Sequence, residues 1–330
     1  MKQETVGITG TGHALPKRVL SNRDLEKMID TSDRWIRERT GIIERRIISE
    51  GESTLTLAVK ASQQALQKAG LLPEELDMII VASVTPEQAL PSTACLVQAK
   101  LNAKNASAFD LTAGCTGFIY ALTIAKQFIA NSSLHKILVI GVDILSYLVD
   151  WEDRKTCVLF GDGAGAVVME KVNNSRGIIA TRLYSEGSKA DLLYIPGGGT
   201  VLPITKENLD KKLNFIKMNG PEVFKFAVKV MVESTQEVLK MDGKTAADLS
   251  YLIPHQANIR IIDTARKRLG MEKEKVLTNI EKYGNMSSAS IPVLLDEAVE
   301  KGLFRQGDLL GMVAFGAGFT WGACLMEWSL

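Results

Sequence analysis

Gly165-Ala166-Val167-Val168-Met169-Glu170 reads as a buried strand, and Gly322-Ala323-Cys324-Leu325-Met326-Glu327 repeats its pattern late in the chain. Self-similarity at a fixed offset is the mark of a duplicated supersecondary unit. A second pair agrees with the first. Leu57-Ala58-Val59-Lys60 opens an amphipathic helix that ends near Gly70, and the strand Asp77-Met78-Ile79-Ile80-Val81 follows it; Phe226-Ala227-Val228-Lys229 opens another, followed by Ser250-Tyr251-Leu252-Ile253. Helices alternating with strands over short connections define an α/β protein. The chain therefore reads as two copies of one α/β unit, residues 1–173 and 174–330, joined near residues 173–176.

Composition sets bounds on function. With 330 residues, 46% hydrophobic and 23% charged, the chain is long enough for two closely fused halves. A net charge of +1 gives no reason to propose nucleic-acid binding, which shows as a strongly basic face. The longest apolar stretches, such as Ile137-Leu138-Val139-Ile140-Gly141-Val142, fall far short of the roughly 20 residues a membrane helix needs. Met1-Lys2-Gln3-Glu4-Thr5 leads straight into a glycine-rich strand with no apolar signal segment, so a cytoplasmic location is expected, away from membranes. Cys95, Cys115, Cys157 and Cys324 are widely spaced and form no CxxC pair, which favours neither a zinc site nor a disulfide framework. Cys157, Cys324 and Cys95 read as packed small hydrophobes.

Cys115 is different because of where it falls. The run Leu111-Thr112-Ala113-Gly114-Cys115-Thr116-Gly117-Phe118 lies between the strand-like Ala108-Phe109-Asp110-Leu111 and the helical Phe118-Ile119-Tyr120-Ala121-Leu122, at a strand-to-helix turn. A helix N-terminus carries about half a positive charge. That field lowers a thiol pKa from about 8.5 toward about 4–7. His255, one of three histidines, follows the strand-like Leu249-Ser250-Tyr251-Leu252-Ile253-Pro254, and Asn285 sits after Gly284 in a loop-to-helix transition rich in serine, Ser287, Ser288 and Ser290. Each alone has an ordinary structural reading: a packed thiol, a capping histidine, a turn amide. A Cys, a His and an Asn at three such turns together form a nucleophile with two hydrogen-bonding companions, as acyl transfer requires. Under the duplication, Cys115 falls opposite Asn285, both at the start of equivalent helices, so that two helix N-termini act on one centre.

These stations, with Gly7-Ile8-Thr9-Gly10-Thr11-Gly12, Asp30-Thr31-Ser32-Asp33-Arg34-Trp35-Ile36, Arg39-Thr40-Gly41-Ile42, Phe160-Gly161-Asp162-Gly163-Ala164-Gly165-Ala166 and Phe315-Gly316-Ala317-Gly318-Phe319-Thr320-Trp321-Gly322, come in an order that spans the chain. In this the sequence resembles the β-ketoacyl-acyl-carrier-protein synthase III enzymes of the thiolase-like superfamily. The resemblance implies a thiolase-like fold, two mixed five-stranded sheets in a layered α-β-α-β-α core, and a homodimer. It implies decarboxylative condensation of an acyl-coenzyme A primer with malonyl-acyl carrier protein through an acyl-Cys115 intermediate. Coenzyme A enters as part of the substrate, and neither metal nor resident cofactor is called for. His255 and Asn285 would stabilise the enolate, and the Cys115 N–H with one from Gly316-Ala317-Gly318 would hold the oxyanion, with Phe315 as an apolar wall beside the malonyl carboxylate. Trp35 and Arg154 match the pair that clamps adenine, and Arg39 a position near the nucleotide phosphates. Gly220, Phe224 and Asn258 match the pantetheine tunnel. Lys225 and Arg260, with Arg266 and Lys267 on a helix from Ile259 to Leu269, would dock the acidic carrier protein.

Three readings of detail complete the picture. Gly7 to Gly12 has the order G-x-x-G-x-G and is followed by Pro16, and Gly161 to Gly165 lacks the Lys-Ser/Thr of a phosphate loop, so both read as close backbone packing. Leu90 stands where many family members carry Phe, in a segment that reaches the partner subunit's acyl pocket, which implies room for primers bulkier than acetyl. Rival functions are a condensing enzyme or acyltransferase of specialised polyketide or alkylquinolone metabolism, a catalytically silent subunit, which the intact Cys, His and Asn set opposes, and a thioester hydrolase.

Overall fold

The computed structural model describes residues 5–172 and 177–330, so the junction expected at residues 173–176, and with it the boundary between halves, lies outside the described residues. The first half opens with β1 (Thr5–Ala14). A small excursion follows: β2 (Arg18–Ser21), α1 (Asn22–Glu26), α2 (Asp33–Thr40) and β3 (Glu44–Ile47). Then come α3 (Thr54–Ala69), β4 (Met78–Ala82), α4 (Thr93–Leu101), β5 (Ser107–Leu111), α5 (Gly117–Asn131), β6 (Ile137–Ile144) and β7 (Asp162–Val172). The second half repeats the series as β8 (Gly177–Ser185), a two-residue ribbon of β9 (Leu193–Tyr194) and β10 (Lys217–Met218), α6 (Gly220–Lys240), β11 (Tyr251–Pro254) and α7 (Ile259–Leu269). It closes with α8 (Ile280–Tyr283), α9 (Ser290–Glu300), β12 (Leu309–Gly316) and β13 (Thr320–Glu327).

Each half folds around one mixed sheet. The first has the order β1-β7-β6-β4-β5 and the second β8-β13-β12-β11, the same topology. The second sheet has four strands where the resemblance implies five. The segment matching β5 keeps only a parallel bridge between Leu252 and Val276 and the Leu277 N–H bond to the Leu252 carbonyl. Lys273-Glu274-Lys275 just before it is a 3-10 turn, which leaves too little extended chain for a strand.

Helices α5 and α9 lie between the sheets, where Phe118, Leu122, Ile291 and Leu295 join one apolar core with Ile80, Val139, Met312 and Met326. Helices α3 and α4 cover the outer face of the first sheet, and α6 and α7 that of the second. This is the α-β-α-β-α layering. The glycine stretches serve it. A Cβ at Gly10 or Gly12 would lie 2.2 or 2.3 Å from the carbonyls of Ala65 and Ala61, so β1 packs its bare backbone against α3. A Cβ at Gly161 would lie 2.2 Å from the Tyr283 carbonyl, and one at Gly165 2.7 Å from Pro292, so the start of β7 is a seat for the 283–293 segment. Among the described residues no helix is long and apolar enough to cross a membrane.

Candidate active site

The strand-to-helix turn of the first half is built as the sequence implies. β5 ends at Leu111, Gly114-Cys115-Thr116 makes one 3-10 turn, and α5 starts at Gly117. Gly114 is left-handed, with φ 55°, and a Cβ there would meet the backbone of Ala317 at 2.8 Å. Gly316 is equally constrained, since its Cβ would fall 2.4 Å from the Cys115 nitrogen. The hairpin between β12 and β13 is thus pressed against the Cys115 backbone. Thr320 Oγ1 donates to the Ala113 carbonyl at 2.7 Å and Thr116 Oγ1 to the Thr320 carbonyl at 3.1 Å, tying the two turns together.

His255 follows β11, which pairs in parallel with β12, and its N–H continues that ladder to the Val313 carbonyl at 2.8 Å. The Gln256 side chain braces the loop, donating to the Pro254 carbonyl and accepting from the Asn279 N–H. Asn285 is held by its backbone, which bridges the chain just before β7: its N–H bonds the Leu159 carbonyl and its carbonyl takes the Gly161 N–H. Its amide oxygen accepts the Ser287 N–H at 2.8 Å, so the amide nitrogen is the end available to a ligand.

All three side chains line one cavity of about 340 Å³. Its remaining wall is mostly apolar, with Leu145, Leu159, Ile216, Val223 and Phe315 among its residues. The His255 ring meets Phe315 edge to face with centroids 5.6 Å apart. Burial, with His255 only 1% exposed, drives its pKa down to about 3, so the imidazole is neutral at pH 7. Neither ring nitrogen has a hydrogen-bond partner. A neutral imidazole offers one N–H and one lone pair. It is a hydrogen-bond donor in waiting rather than a cation.

Cys115 departs from expectation in its ionisation. Burial pushes its thiol up to about 12; the Ser287 hydroxyl works against that rise and the Asp143 carboxylate adds to it. Desolvation outweighs the hydrogen bonds that favour the thiolate. The residue is half-buried only because it opens onto that space. The resting nucleophile is a thiol.

A larger outer space of about 1010 Å³ shares Leu159, Tyr194, Met218, Gly220, Phe224 and Asn258 with the inner cavity, so the two are continuous. Trp35, Arg39, Lys225 and Arg260 line it. Arg39 and Arg154 place their guanidinium carbons 5.0 and 5.4 Å from the Trp35 ring centroid, although Arg154, hydrogen-bonded to Asp30, is not part of the lining. Asn258 caps α7, accepting from the Arg260 N–H, and donates to the Arg39 carbonyl at 3.0 Å. Lys225 pairs with Glu222 at 2.8 Å, and Arg260 lies over Phe224.

Several expected positions are not brought to the site. Arg266 is turned into its own helix, bonded to Asp263 and to the Met271 carbonyl with its side chain 19% exposed, so it closes the C-terminus of α7 instead of offering a docking charge. Lys267 pairs with Asp263 and stays exposed. Gly318 does not line the cavity; Gly316 and Ala317 do. Leu90 is 84% exposed and lies outside its own chain's cavity. Cys95 is exposed rather than packed, because only one face of α4 meets the sheet, whereas Cys157 and Cys324 are buried. The counterpart of Cys115 is Ser288, three residues beyond Asn285: Ser287 repeats the left-handed turn of Gly114 with φ 49°, and the 3-10 turn Ser287–Ala289 leads into α9. Sequence reading also missed the wall from Leu193, Tyr194, Ile195, Ile216 and Met218, which is built on and beside the two-residue strands β9 and β10, too short to show a periodic pattern.

A duplicated five-layered α/β core around a cavity holding a cysteine, a neutral histidine and an asparagine is the architecture of the thiolase-like condensing acyltransferases. Residues 109–187 match the family model for 3-oxoacyl-[acyl-carrier-protein (ACP)] synthase III, and residues 239–328 match that for its C terminal part. The chain is 56% identical over 324 residues to the β-ketoacyl-[acyl-carrier-protein] synthase III of Natranaerobius thermophilus, covering 97% of this chain and 98% of the relative. The crystal structure of 3-oxoacyl-[acyl-carrier-protein] synthase III from Aquifex aeolicus VF5 superposes with a TM-score of 0.91 at 51% identity, covering 98% of this chain and 100% of that one. The priming β-ketosynthase of the R1128 polyketide biosynthetic pathway superposes with a TM-score of 0.91 at 32% identity, covering 99% and 98%. The chain belongs to the 3-oxoacyl-[acyl-carrier-protein] synthase III family.

Proposed function

We propose that the protein condenses an acyl-coenzyme A primer with malonyl-acyl carrier protein, giving a β-ketoacyl-acyl carrier protein, carbon dioxide and coenzyme A, the step that starts fatty acid synthesis. The observation that carries this reading is the apolar cavity lined by Cys115, His255 and Asn285 together and continuous with a basic outer space. In the first step the Cys115 sulfur attacks the primer thioester; the new C–S bond replaces the old one, and coenzyme A leaves as a thiol with the proton Cys115 gives up. One thioester replaces another, so the exchange is nearly isoenergetic. The Cys115 N–H and one from Gly316 or Ala317 face the developing oxyanion, worth about 3–4 kcal/mol per donor.

In the second step malonyl thioester occupies the emptied cavity. Its terminal C–C bond breaks, carbon dioxide leaves, and the electron pair becomes an enolate whose oxygen takes hydrogen bonds from the His255 N–H and the Asn285 amide. The enolate carbon attacks acyl-Cys115, and collapse of the tetrahedral species breaks the C–S bond and expels the sulfur as a thiolate, which takes a proton from solvent to restore the resting thiol. A neutral imidazole suits this role, because it donates without first surrendering a proton to the carboxylate that must leave. Phe315, packed on His255, presents an apolar wall that favours loss of the charged group as neutral gas. Coenzyme A is a substrate, and no resident cofactor enters the scheme.

The outer space suits the carrier: Trp35 with Arg39 and Arg154 offers a flat cationic clamp for adenine, and Lys225 and Arg260 at the rim suit an acidic carrier protein. A homodimer is part of the proposal. β5 ends its sheet as a half-exposed edge strand, and the exposed Leu90 precedes α4, which packs on β5. The similarity to a polyketide priming β-ketosynthase supports a second reading, the same condensation in specialised metabolism. Purified protein incubated with malonyl-acyl carrier protein and a panel of acyl-coenzyme A primers, with products identified by mass spectrometry, tests both. Carrier-bound β-ketoacyl chains two carbons longer than the primer are expected. Free acid alone would mean a hydrolase and would end the proposal.

A further inference from the structure

Ser287 holds a backbone conformation that its counterpart gives to glycine. Both residues open the turn that leads into a central helix, Gly114 at φ 55° and Ser287 at φ 49°. Glycine occupies that region freely, and a residue with a Cβ does so only against steric resistance. The second half thus carries a side chain where the duplicated backbone would more easily carry none. That side chain lines the catalytic cavity together with Cys115.

The polar groups of its own turn and of the neighbouring Asp143 are already committed. The Ser288 hydroxyl bonds Asp143 at 2.7 Å and its N–H bonds the same carboxylate at 3.0 Å. The Ser287 N–H is taken by the Asn285 amide oxygen. Asp143 also receives the Val84 N–H and the hydroxyls of Ser83 and Thr85. The Ser287 hydroxyl is left: it is buried and has no hydrogen bond of good geometry. A buried hydroxyl without a partner is destabilising unless something arrives to satisfy it.

We propose that the Ser287 hydroxyl is a further catalytic residue, donating a hydrogen bond to the Cys115 sulfur as it becomes a thiolate and attacks the primer. This rests on Cys115 being the acylated residue. No proton is transferred through Ser287; the hydroxyl keeps its hydrogen and turns it toward the charge. The ionisable groups facing Cys115 are Asp143 from β6 and His255 after β11. The first raises the thiol pKa and the second is neutral, so neither stabilises the thiolate as an ion. Ser287 and Cys115 line the same cavity, and the hydroxyl opposes the burial-driven rise of the thiol.

Two substitutions separate hydroxyl from backbone. Ser287→Ala removes the hydroxyl and keeps the strained Cβ; Ser287→Gly removes both and restores the residue found at position 114. The rate of Cys115 alkylation by iodoacetamide between pH 7 and 10 is followed on its own peptide by mass spectrometry, because exposed Cys95 also reacts. Both variants should alkylate Cys115 about tenfold more slowly at each pH. Acyl-enzyme formation should slow alongside, with the KM for primer little changed, while Ser287→Gly unfolds at the same temperature as the parent or higher. Alkylation at the parental rate in both variants overturns the inference. So does slowing confined to Ser287→Gly, which would trace the effect to the backbone rather than the hydroxyl. Whether the parent protein gains acyl mass on the Cys115 peptide is read separately and tests the underlying assignment of the nucleophile.

Discussion

The turns Gly114–Thr116 and Ser287–Ala289 share a left-handed first residue and an apolar helix to follow, yet their second residues do opposite work. Cys115 opens onto the cavity. Ser288 is sealed away, bonded to the Ala82 carbonyl and to Asp143, and its own carbonyl lies so near β6 that a Cβ at Gly141 would come within 2.3 Å of it. One backbone design thus serves as a nucleophile mount in the first half and as a structural brace in the second. The lesson is that duplication supplies geometry, while the burial of a single side chain decides between chemistry and packing.

The comparison breaks first at the nucleophile. Cys115→Ser should remove acyl-enzyme from the mass spectrum and lower condensation by about 10³-fold or more, leaving stability almost untouched. His255→Ala should lower condensation by about 10²–10³-fold, the scale of a lost transition-state donor, while the acyl-enzyme still forms. A protease-like general base would instead lose acylation.

On the brace side the readout is stability. Ser288→Ala removes the hydroxyl from between Asp143 and the Ala82 carbonyl while the backbone N–H bond to Asp143 stays, and should cost about 1–3 kcal/mol in denaturant unfolding. Gly161→Ala, which sets a Cβ against the Tyr283 carbonyl, should cost a similar 1–3 kcal/mol and lower condensation as well, because the same contact seats Asn285. His255 adds a pH signature. Its folded pKa of about 3 lies below the unfolded value near 6.5, so the unfolded state binds more protons between them and stability falls as pH drops below 6.5. The loss from this residue is about 1.4 kcal/mol per pH unit. His255→Asn should flatten that limb in thermal unfolding.

Smaller effects belong to the rim. Arg260→Glu with Lys225→Glu should raise the KM for malonyl-acyl carrier protein several-fold, with the difference fading at high salt, whereas Arg266→Glu should act mainly on stability. Leu90→Phe should narrow primer choice toward acetyl, and an unchanged preference would remove Leu90 from the partner subunit's pocket.

The legible parts of the sequence were those with local causes. α7 runs from Ile259 to Leu269 as its pattern implies, because Asn258 caps it and left-handed Gly270 ends it. The glycine stretches read as close packing for the same reason: a missing Cβ has one plain use. What escaped depended on distant chain. The fifth strand of the second sheet shrank to one bridge and the cavity wall from β9 and β10 has no sequence period, while Arg266 was claimed closer at hand, by Asp263 three residues before it and by the Met271 carbonyl. The register of the duplication slipped by three residues at Asn285, since a repeat of helices does not fix the length of the loops between them.

Residue order alone determined that the molecule is a doubled α/β protein, that a cysteine stands at a strand-to-helix turn, and that a histidine and an asparagine stand at two others, because these follow from periodicity and turn chemistry within a few residues. Only the tertiary structure decided that the three share one cavity, that burial holds the thiol protonated and the imidazole neutral, and that Ser287 rather than Ser288 lines that cavity. Those outcomes depend on solvent exclusion and on contacts between residues more than a hundred positions apart, which no local stretch encodes.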